Sequence, residues 1–394
     1  MIRLQKLIAD LCPNGVPKFK LGELEDNEIL KLGRGDVISK TDINEHPGSF
    51  PVYSSSATSN GLFGRYGKFM FEDERITWSI DGGGKFFYRP IHQYSVTNVC
   101  GWLKVLQPQS LITKYIYYVL IAAWGGRTYN YTVKAHPSVI REDYLIPLPP
   151  IEVQREIVRI LDTFMELEAE LEAELEARLI QRTQVIDWLH TGKMSLLKDA
   201  IEVPLVDLVH FENGKPHEPL VDAQGNCELI TSKFIASNGT LARRIKSDDI
   251  RTKALPDDIT IVLSDLPNGR ALAKCYFVQR ENYYAVNQRI AILRSKDQTV
   301  AHPEYLYHYV NRNPQILKFD DGSTQTHLKK ANVVDMVVRL PALDIQIQIA
   351  KAISALDKFV FAASESLPAE IAARRQQYEF YRNKLLTFDE LDVA

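Results

Sequence analysis

The sequence predicts an α+β protein of two mixed globular units, each followed by a long helix, with the two helices paired. Three observations carry this expectation. The chain repeats itself once, with matched segments lying 189 to 192 residues apart. Each half opens with short strand-like runs broken by Gly and Pro. Each half closes on an apolar-striped stretch far longer than an ordinary helix.

At 394 residues the chain exceeds one ordinary domain. Its 45 % hydrophobic and 25 % charged residues are those of a soluble globular protein. No apolar run approaches the roughly 20 residues that cross a bilayer, so no membrane association is expected. The N-terminal MIRLQKLIADLCPNGV lacks the apolar core and cleavage site of a signal peptide. Cys12, Cys100, Cys227 and Cys275 form no CxxC pair, which points to free thiols and a cytoplasmic location. The net charge of −3 is unevenly spread. Residues 151–190 hold ten acids and four bases, a local charge of −6, leaving +3 for the rest. Residues 82–140 hold Lys85, Arg89, Lys104, Lys114, Arg127, Lys134 and no acid. A local surface of that kind attracts phosphate even on an acidic protein, although scattered solvating charges would read the same way.

The repeat is closest at the helix starts. IPLPPIEVQREIVRILDTF (146–164) returns as VRLPALDIQIQIAKAISAL (338–356), offset by 192. Upstream, His136 falls on His327, Tyr115 on Tyr305 and Asn98 on Asn287. At the front, FKLGEL (19–24) resembles VPLVDL (203–208).

Within the first half, ITWSI (76–80), FFYR (86–89) and WLKVL (102–106) read as strands. Their counterparts are ITIVLS (259–264), KCYFV (274–278) and RIAILR (289–294). A Tyr-rich apolar stretch follows in each, TKYIYYVLIAA (113–123) and PEYLYHYV (303–310), suited to a short amphipathic helix with its tyrosines in the core. Pro149 and Pro150 then lead into a long helix, with Glu152 in its first turn where the dipole favours an acid. No Gly or Pro interrupts it before Gly192. Leu161, Phe164, Leu167, Leu171, Leu175 and Leu179 form its apolar stripe, which contains three consecutive ELEA tetrapeptides over 166–177. A helix over 151–190 would be roughly 60 Å long and needs a partner along its stripe. The second copy offers Ile349, Ile353, Leu356, Phe359, Ile371, Tyr378, Tyr381 and Leu385, with Pro368 expected to kink or break it.

A proline-led LPPxExQxxIxxxLD start to a long helix, present twice and each time after an α+β unit, resembles the specificity (S) subunits of Type I restriction–modification systems. Here it reads Leu148, Pro149, Pro150, Ile151, Glu152, Val153, Gln154, Ile157, Leu161 and Asp162. The second copy departs from it, with Ala342 for the second proline and Asp344 for the glutamate. LCPNGVPKFKLGEL (11–24), IDGGGKFFYR (80–89) and YEFYRNKLLTF (378–388) match further stretches, so the resemblance spans nearly the whole chain. It implies an N-terminal segment (1–19), target recognition domains at 20–145 and 202–336, a central helix (146–192), a linker (193–201) and a C-terminal helix (337–394). It further implies a pseudo-twofold repeat, an antiparallel coiled coil and a non-catalytic subunit reading a bipartite double-stranded DNA site. Two methyltransferase (M) subunits would bring S-adenosylmethionine, and restriction (R) subunits ATP and Mg²⁺, with no cofactor in this chain. In such a family a tandem tetrapeptide can act as a ruler for the unread spacer, and the ELEA triplet sits at that place.

Base reading needs Arg or Lys for guanine and Asn or Gln for adenine, and phosphate positioning needs bases and hydroxyls. Acid-poor loops supply candidate DNA contacts. In the first half these are Ser55, Ser56, Asn60, Arg65, Lys68, Lys85, Arg89, Arg127, Thr128, Asn130 and Lys134. In the second they are Lys233, Arg243, Arg244, Arg270, Lys274, Thr324, Gln325, Thr326, Lys329 and Lys330. The stretches 125–136 and 322–330 stand out because both are basic and precede the repeated helix at the same distance. His136 and His327 read equally well as structural caps. Catalytic readings fail on chemistry. Leu148, Pro149, Pro150 and Ile151 lack the polar and aromatic groups that hold a flipped base. Gly82, Gly83, Gly84 and Lys85 lack the rest of a P-loop, and no His or Cys pair has zinc spacing. Two alternatives stay open: a specificity module for a fused methyltransferase–nuclease, and a coiled-coil scaffold that binds protein only.

Overall fold

The computed structural model describes residues 2–56, 59–81, 83–125, 127, 129, 134–265, 271–279, 284–320 and 327–391. The chain divides into two compact units, residues 1–172 with 368–394 and residues 173–367. Unit 1 opens with α1 (Ile2–Leu11), β1 (Lys18–Lys20), α2 (Leu21–Asp26), β2 (Leu30–Arg34) and α3 (Lys40–Glu45). Strands β3 (Phe50–Tyr53), β4 (Leu62–Tyr66), β5 (Arg75–Ser79), β6 (Phe86–Arg89), β7 (Ser95–Val96) and β8 (Cys100–Val105) follow. Helices α4 (Thr113–Trp124) and α5 (Pro137–Asp143) and strand β9 (Leu145–Pro147) lead into the long α6 (Ile151–Thr191), whose last residues belong to unit 2.

Unit 2 continues with β10 (Ile201–Pro204), α7 (Leu205–Leu208), β11 (Val209–Asn213), β12 (Cys227–Ile230), α8 (Ser232–Ala236) and β13 (Arg243–Ile245). Next come β14 (Lys253–Ala254), β15 (Ile259–Val262), β16 (Cys275–Phe277), β17 (Tyr284–Val286) and β18 (Ile290–Ser295). Helices α9 (Pro303–Val310), α10 (Pro314–Leu317) and α11 (Lys330–Val334) and strand β19 (Val337–Leu340) precede α12 (Leu343–Leu385), which returns to unit 1 from Pro368 onward.

The two units share one topology. Unit 1 has an antiparallel sheet ordered β2-β8-β5-β6, a small sheet β4-β3-β7 and the pair β1-β9. Unit 2 repeats these as β11-β18-β15-β16, β13-β12-β17-β14 and β10-β19. The small sheets each contain one parallel pair, β3 with β7 and β12 with β17. In unit 2 the large sheet is covered on both faces. Ile259, Ile261 and Leu293 face the helices, while Val262, Ile290 and Ile292 face Ile230 and Val286 of the small sheet. That double burial explains why IAIL (290–293) of β18 is a continuous apolar run rather than an alternating one. At the end of β2 and of β11 the chain passes against the small sheet through Gly35 and Gly214. A Cβ there would lie 2.0 Å from the carbonyl oxygen of Val96 and 2.1 Å from that of Asn287.

The pairing registers correct one match of the sequence comparison. Leu103 and Leu293 occupy the same place, each between two equivalent strands. Thr97 N–H donates to Tyr53 O as Asn287 N–H donates to Ile230 O. The counterpart of Asn287 is therefore Thr97, not Asn98.

Each long helix is bolted to its unit by one glutamine. Gln154 is fully buried. Its Nε2 donates to the carbonyls of Ser110 (3.0 Å) and Pro149 (2.8 Å), and its Oε1 accepts from Ile112 N (3.0 Å). Gln346 repeats this with Val300 O (3.0 Å), Pro341 O (2.8 Å) and His302 N (2.8 Å). The tyrosines at the matched positions do equivalent work, Tyr115 donating to Pro147 O and Tyr305 to Arg339 O. The polar contacts next to them differ. In unit 1 Asp162 of α6 receives Lys114 Nζ (2.7 Å) and Tyr118 Oη (2.5 Å) from α4. In unit 2 Ser354 of α12 donates to Glu304 (2.6 Å) and bonds His308 (2.9 Å), both from α9.

The helices run antiparallel within each unit. In unit 1 Phe164 stacks on Tyr381, and Arg375 bonds both Glu168 and Glu172 at 2.6 Å. In unit 2 Arg182 pairs with Asp357 at 2.5 Å, and Arg178 covers the ring of Phe359. Of the expected stripe, Leu161 is buried and Leu171 and Leu175 are half-buried. Leu167 and Leu179 are 38 % and 44 % exposed. A strict four-residue repeat advances about 400°, so each leucine drifts about 40° from the last, and the outer two leave the face. On α12, Ile353, Ile371, Tyr378 and Leu385 are buried and Leu356 half-buried, but Phe359 is 51 % exposed and Val360 takes the inward position. Val360, Ala363 and Leu367 complete a row absent from the expected one. The break expected at Pro368 does not occur. Helix α12 continues through the proline to Leu385, with buried Leu367 and Ile371 packed on either side of it.

Replacing Gln154 or Gln346 by Ala would orphan buried backbone groups at the helix start. Each substitution is expected to lower unfolding stability by on the order of 3 kcal/mol, whereas an unchanged denaturant midpoint would refute the bolt. Burial holds the His308 imidazole down at about 4, against the opposing pull of Asp357 and Glu304 and with Arg182 also disfavouring its charge. As pH falls from about 6.5 toward 4 the unfolded chain binds a proton that the folded one refuses, so stability drops, by about 3 kcal/mol in full. His308→Gln should flatten that part of the stability–pH curve. A curve unchanged by the substitution would assign the loss to other groups.

Candidate nucleic-acid interface

In unit 1 the exposed candidates cluster on the small sheet and the turn before its edge strand. Ser55 and Ser56 are half-buried beside β3, and Ser55 O accepts from Ser79 Oγ (2.8 Å). Asn60 is exposed at φ 54°, in the turn leading into β4. Arg65 lies on β4, exposed, with one Nη bonded to Ser49 O, and Lys68 follows it, also exposed. Strand β4 is the outer strand of its sheet, and α3 packs against it through Ile43 at Gly64.

Three basic candidates of unit 1 are occupied by the fold itself. Arg89 is only 1 % exposed. Its Nε donates to Thr77 Oγ1 and one Nη to Asn60 O, both at 2.9 Å, and its guanidinium lies 3.6 Å from the Tyr53 ring centre. Burial pulls its pKa below the ordinary arginine range. It is a core cation and not a groove-reading side chain. Arg127 donates to Ala123 O and Asp143 O and covers the Tyr144 ring, tying the end of α4 to α5. Lys134 pairs with Asp81 at 2.9 Å. Lys85 is half-buried with its ammonium over Phe87. Thr128 and Asn130 lie outside the described residues. His136 caps α5, accepting from Ser138 N, which is the structural role weighed for it.

Unit 2 presents the equivalent edge. Arg243 and Arg244 are exposed on β13, the outer strand corresponding to β4, and neither forms an ion pair among the described residues. Lys233 is exposed on α8. Lys274 is half-buried, with Nζ donating to Ala236 O (2.9 Å), and burial lowers its pKa. Lys329 and Lys330 are exposed at the start of α11, Lys330 reaching over the Phe211 ring. Arg270, Thr324, Gln325 and Thr326 lie outside the described residues. Both units thus carry exposed arginine on the same outer strand, and in unit 2 Glu228 lies opposite Arg244 across the strand pair. Asn238 stands on the unit 2 edge and was not among the sequence candidates.

The family model for the Type I restriction modification DNA specificity domain matches residues 18–179 and again 202–373. A Mycoplasma pneumoniae chain named as a type I specificity subunit is 26 % identical over 369 residues, which is 92 % of this chain and 96 % of that one. The specificity subunit of the type I restriction enzyme MpnII from the same organism is 32 % identical over 142 residues. That match spans 36 % of this chain and less than half, 42 %, of the relative. Among solved structures, an S subunit of a Type I restriction–modification system from M. genitalium superposes with a TM-score of 0.56 at 17 % identity, covering 94 % of this chain and 96 % of that one. A chain from work on assembly and conformational transition of the type I R-M system gives 0.51 at 15 % identity, covering 95 % and 98 %. These two likenesses establish the fold. With the domain model covering most of both halves, the chain belongs to the Type I restriction–modification specificity-subunit family.

Proposed function

We propose that this chain reads a bipartite duplex DNA target, unit 1 reading one half-site and unit 2 the other, while the helix pair sets the unread gap. The observation that carries this reading is the repeated edge strand, with exposed Arg65 in unit 1 and, at its place in unit 2, exposed Arg244 beside exposed Arg243. Arginines on such an edge neutralise phosphates and add a salt-dependent, sequence-independent share of the affinity.

The same reading assigns chemistry to partners. Two M subunits would supply S-adenosylmethionine and the adenine-methylating site, and R subunits ATP- and Mg²⁺-dependent translocation and cleavage, in the cytoplasm. Exposed apolar side chains on the long helices support docking there: Met165, Leu167 and Phe380 in unit 1, and Ile180, Phe359 and Phe361 in unit 2. The tandem repeat supports a ruler role. Glu168 and Glu172 hold the same place in successive tetrapeptides and both bond Arg375. Removing one tetrapeptide puts Glu176 where Glu172 was, so the local surface is regenerated while the helix shortens.

Co-expression with a Type I methyltransferase subunit, followed by genome-wide mapping of methylated adenine, tests the reading. A motif of two defined blocks separated by an undefined gap is expected, and exchanging residues 202–336 for those of another S subunit should alter one block only. A contiguous motif would contradict it. In the assembled methyltransferase, Arg65→Ala, and Arg243→Ala together with Arg244→Ala, should reduce the salt slope of duplex binding by about one per charge removed. Stability should stay within about 0.5 kcal/mol. Arg89→Ala should instead lower stability by about 2 kcal/mol, because it leaves buried partners unpaired. Salt slopes unchanged in all the edge variants would remove this edge from the interface.

A further inference from the structure

Ser-Asn-Gly occurs at equivalent places in the two units, between the first two strands of each small sheet. Ser59, Asn60 and Gly61 precede β4, and Ser237, Asn238 and Gly239 precede β13. The repeat escapes the 189 to 192 spacing because the offset here is 178.

The φ angles are alike in both, although the unit 2 turn closes the end of α8 and the unit 1 turn is a short 3-10 segment. Asn60 and Asn238 sit at φ 54° and 51°, and the glycines that follow at 76° and 88°. Both asparagines are exposed, and neither side-chain amide has a hydrogen-bond partner among the described residues. A cation of the large sheet reaches the chain at or next to each turn, from non-equivalent positions of the sheet. Arg89, the last residue of β6, donates to Asn60 O. Lys274, just before the equivalent β16, donates to Ala236 O beside Ser237. In unit 2 Gly239 N–H donates to Phe234 O and Leu241 N–H to Ser237 Oγ, closing the turn without using the amide. A left-handed Asn-Gly pair alone is a common turn signal. The unspent amides, the braces from the large sheet and the exposed arginines a few residues further on go beyond what a turn requires.

We propose that Asn60 and Asn238 are specificity-determining residues, each presenting its carboxamide to one adenine, one in each half-site, while Arg65 and Arg243 with Arg244 hold the adjoining phosphates. An amide offers one donor and one acceptor at the spacing of adenine N7 and N6 in the major groove. Holding it on a braced turn limits the rotation that would blur the choice of base. Arg89 and Lys274 act as positioning residues beneath the reading groups.

This inference rests on the DNA-reading role proposed above, and one experiment separates the two. Wild type, Asn60→Gly and Asn238→Gly are each assembled with the methyltransferase subunit, their methylated motifs mapped and their melting temperatures compared. Glycine keeps the left-handed turn and removes only the amide. Expected is an unchanged melting temperature and the loss of one adenine preference, about 5- to 150-fold, in one block for Asn60→Gly and in the other for Asn238→Gly. A split wild-type motif that both glycine variants leave intact overturns the inference but not the DNA-reading role. A wild-type motif that is not split overturns both. Should either glycine variant also melt lower, Asn60→Asp and Asn238→Asp decide. Aspartate should change the adenine to cytosine at the same position, and an unaltered base there overturns the proposal.

Discussion

A buried glutamine at the start of each long helix, held by three backbone hydrogen bonds, joins helix to globular unit. The joint recurs in both units down to the same two backbone acceptors and one backbone donor. A buried amide with three bonds made cannot rotate without orphaning several groups at once, so the direction in which each helix leaves its unit is fixed. The remaining architecture follows from that joint. Strand pairs β1-β9 and β10-β19 bring the chain to the helix start, and the apolar faces of α4 and α9 cover the first turns.

Around this common joint the units are individual. Asp162 meets Lys114 and Tyr118, while Ser354 meets Glu304 and His308, so donor and acceptor roles at one place are largely exchanged. Exchanging the two helix starts would set Asp162 against Glu304, an unfavourable pairing of like charges. Each helix start is therefore matched to its own unit by charge as well as by shape. On the proposed reading, a joint that is rigid and specific is what allows a distance along the helix to become a distance along DNA.

Much of this was legible in the sequence, and the misses have physical causes. The repeat stood out at the helix starts because the bolt constrains Leu, Pro and Gln there together. It faded through the sheets, where insertions move the offset between 178 and 190, which hid Ser-Asn-Gly and displaced Asn98 by one residue. The leucine row was over-read, since a four-residue period cannot stay on one face, and Leu167 and Leu179 leave it. Pro368 was read as a kink or break because a proline removes one backbone bond, but the helix runs through it without breaking, with buried Leu367 and Ile371 nearby. Arg89 and Arg127 were offered as surface bases on composition alone. A guanidinium also packs on aromatic rings and binds carbonyls, and no local pattern separates that use from an exposed one.

The central claim is that the ELEA stretch sets the unread gap between two independently read half-sites. A series with residues 170–173 deleted, unchanged, or followed by one more ELEA, each assembled with the methyltransferase and its methylated motif mapped, tests this most directly. Each tetrapeptide is worth about 6 Å of helix, or nearly two base-pair steps. The account predicts that both blocks keep their sequence while the gap shortens or lengthens by about that amount. A gap that stays constant across the series, or blocks that change while the gap does not, would contradict it.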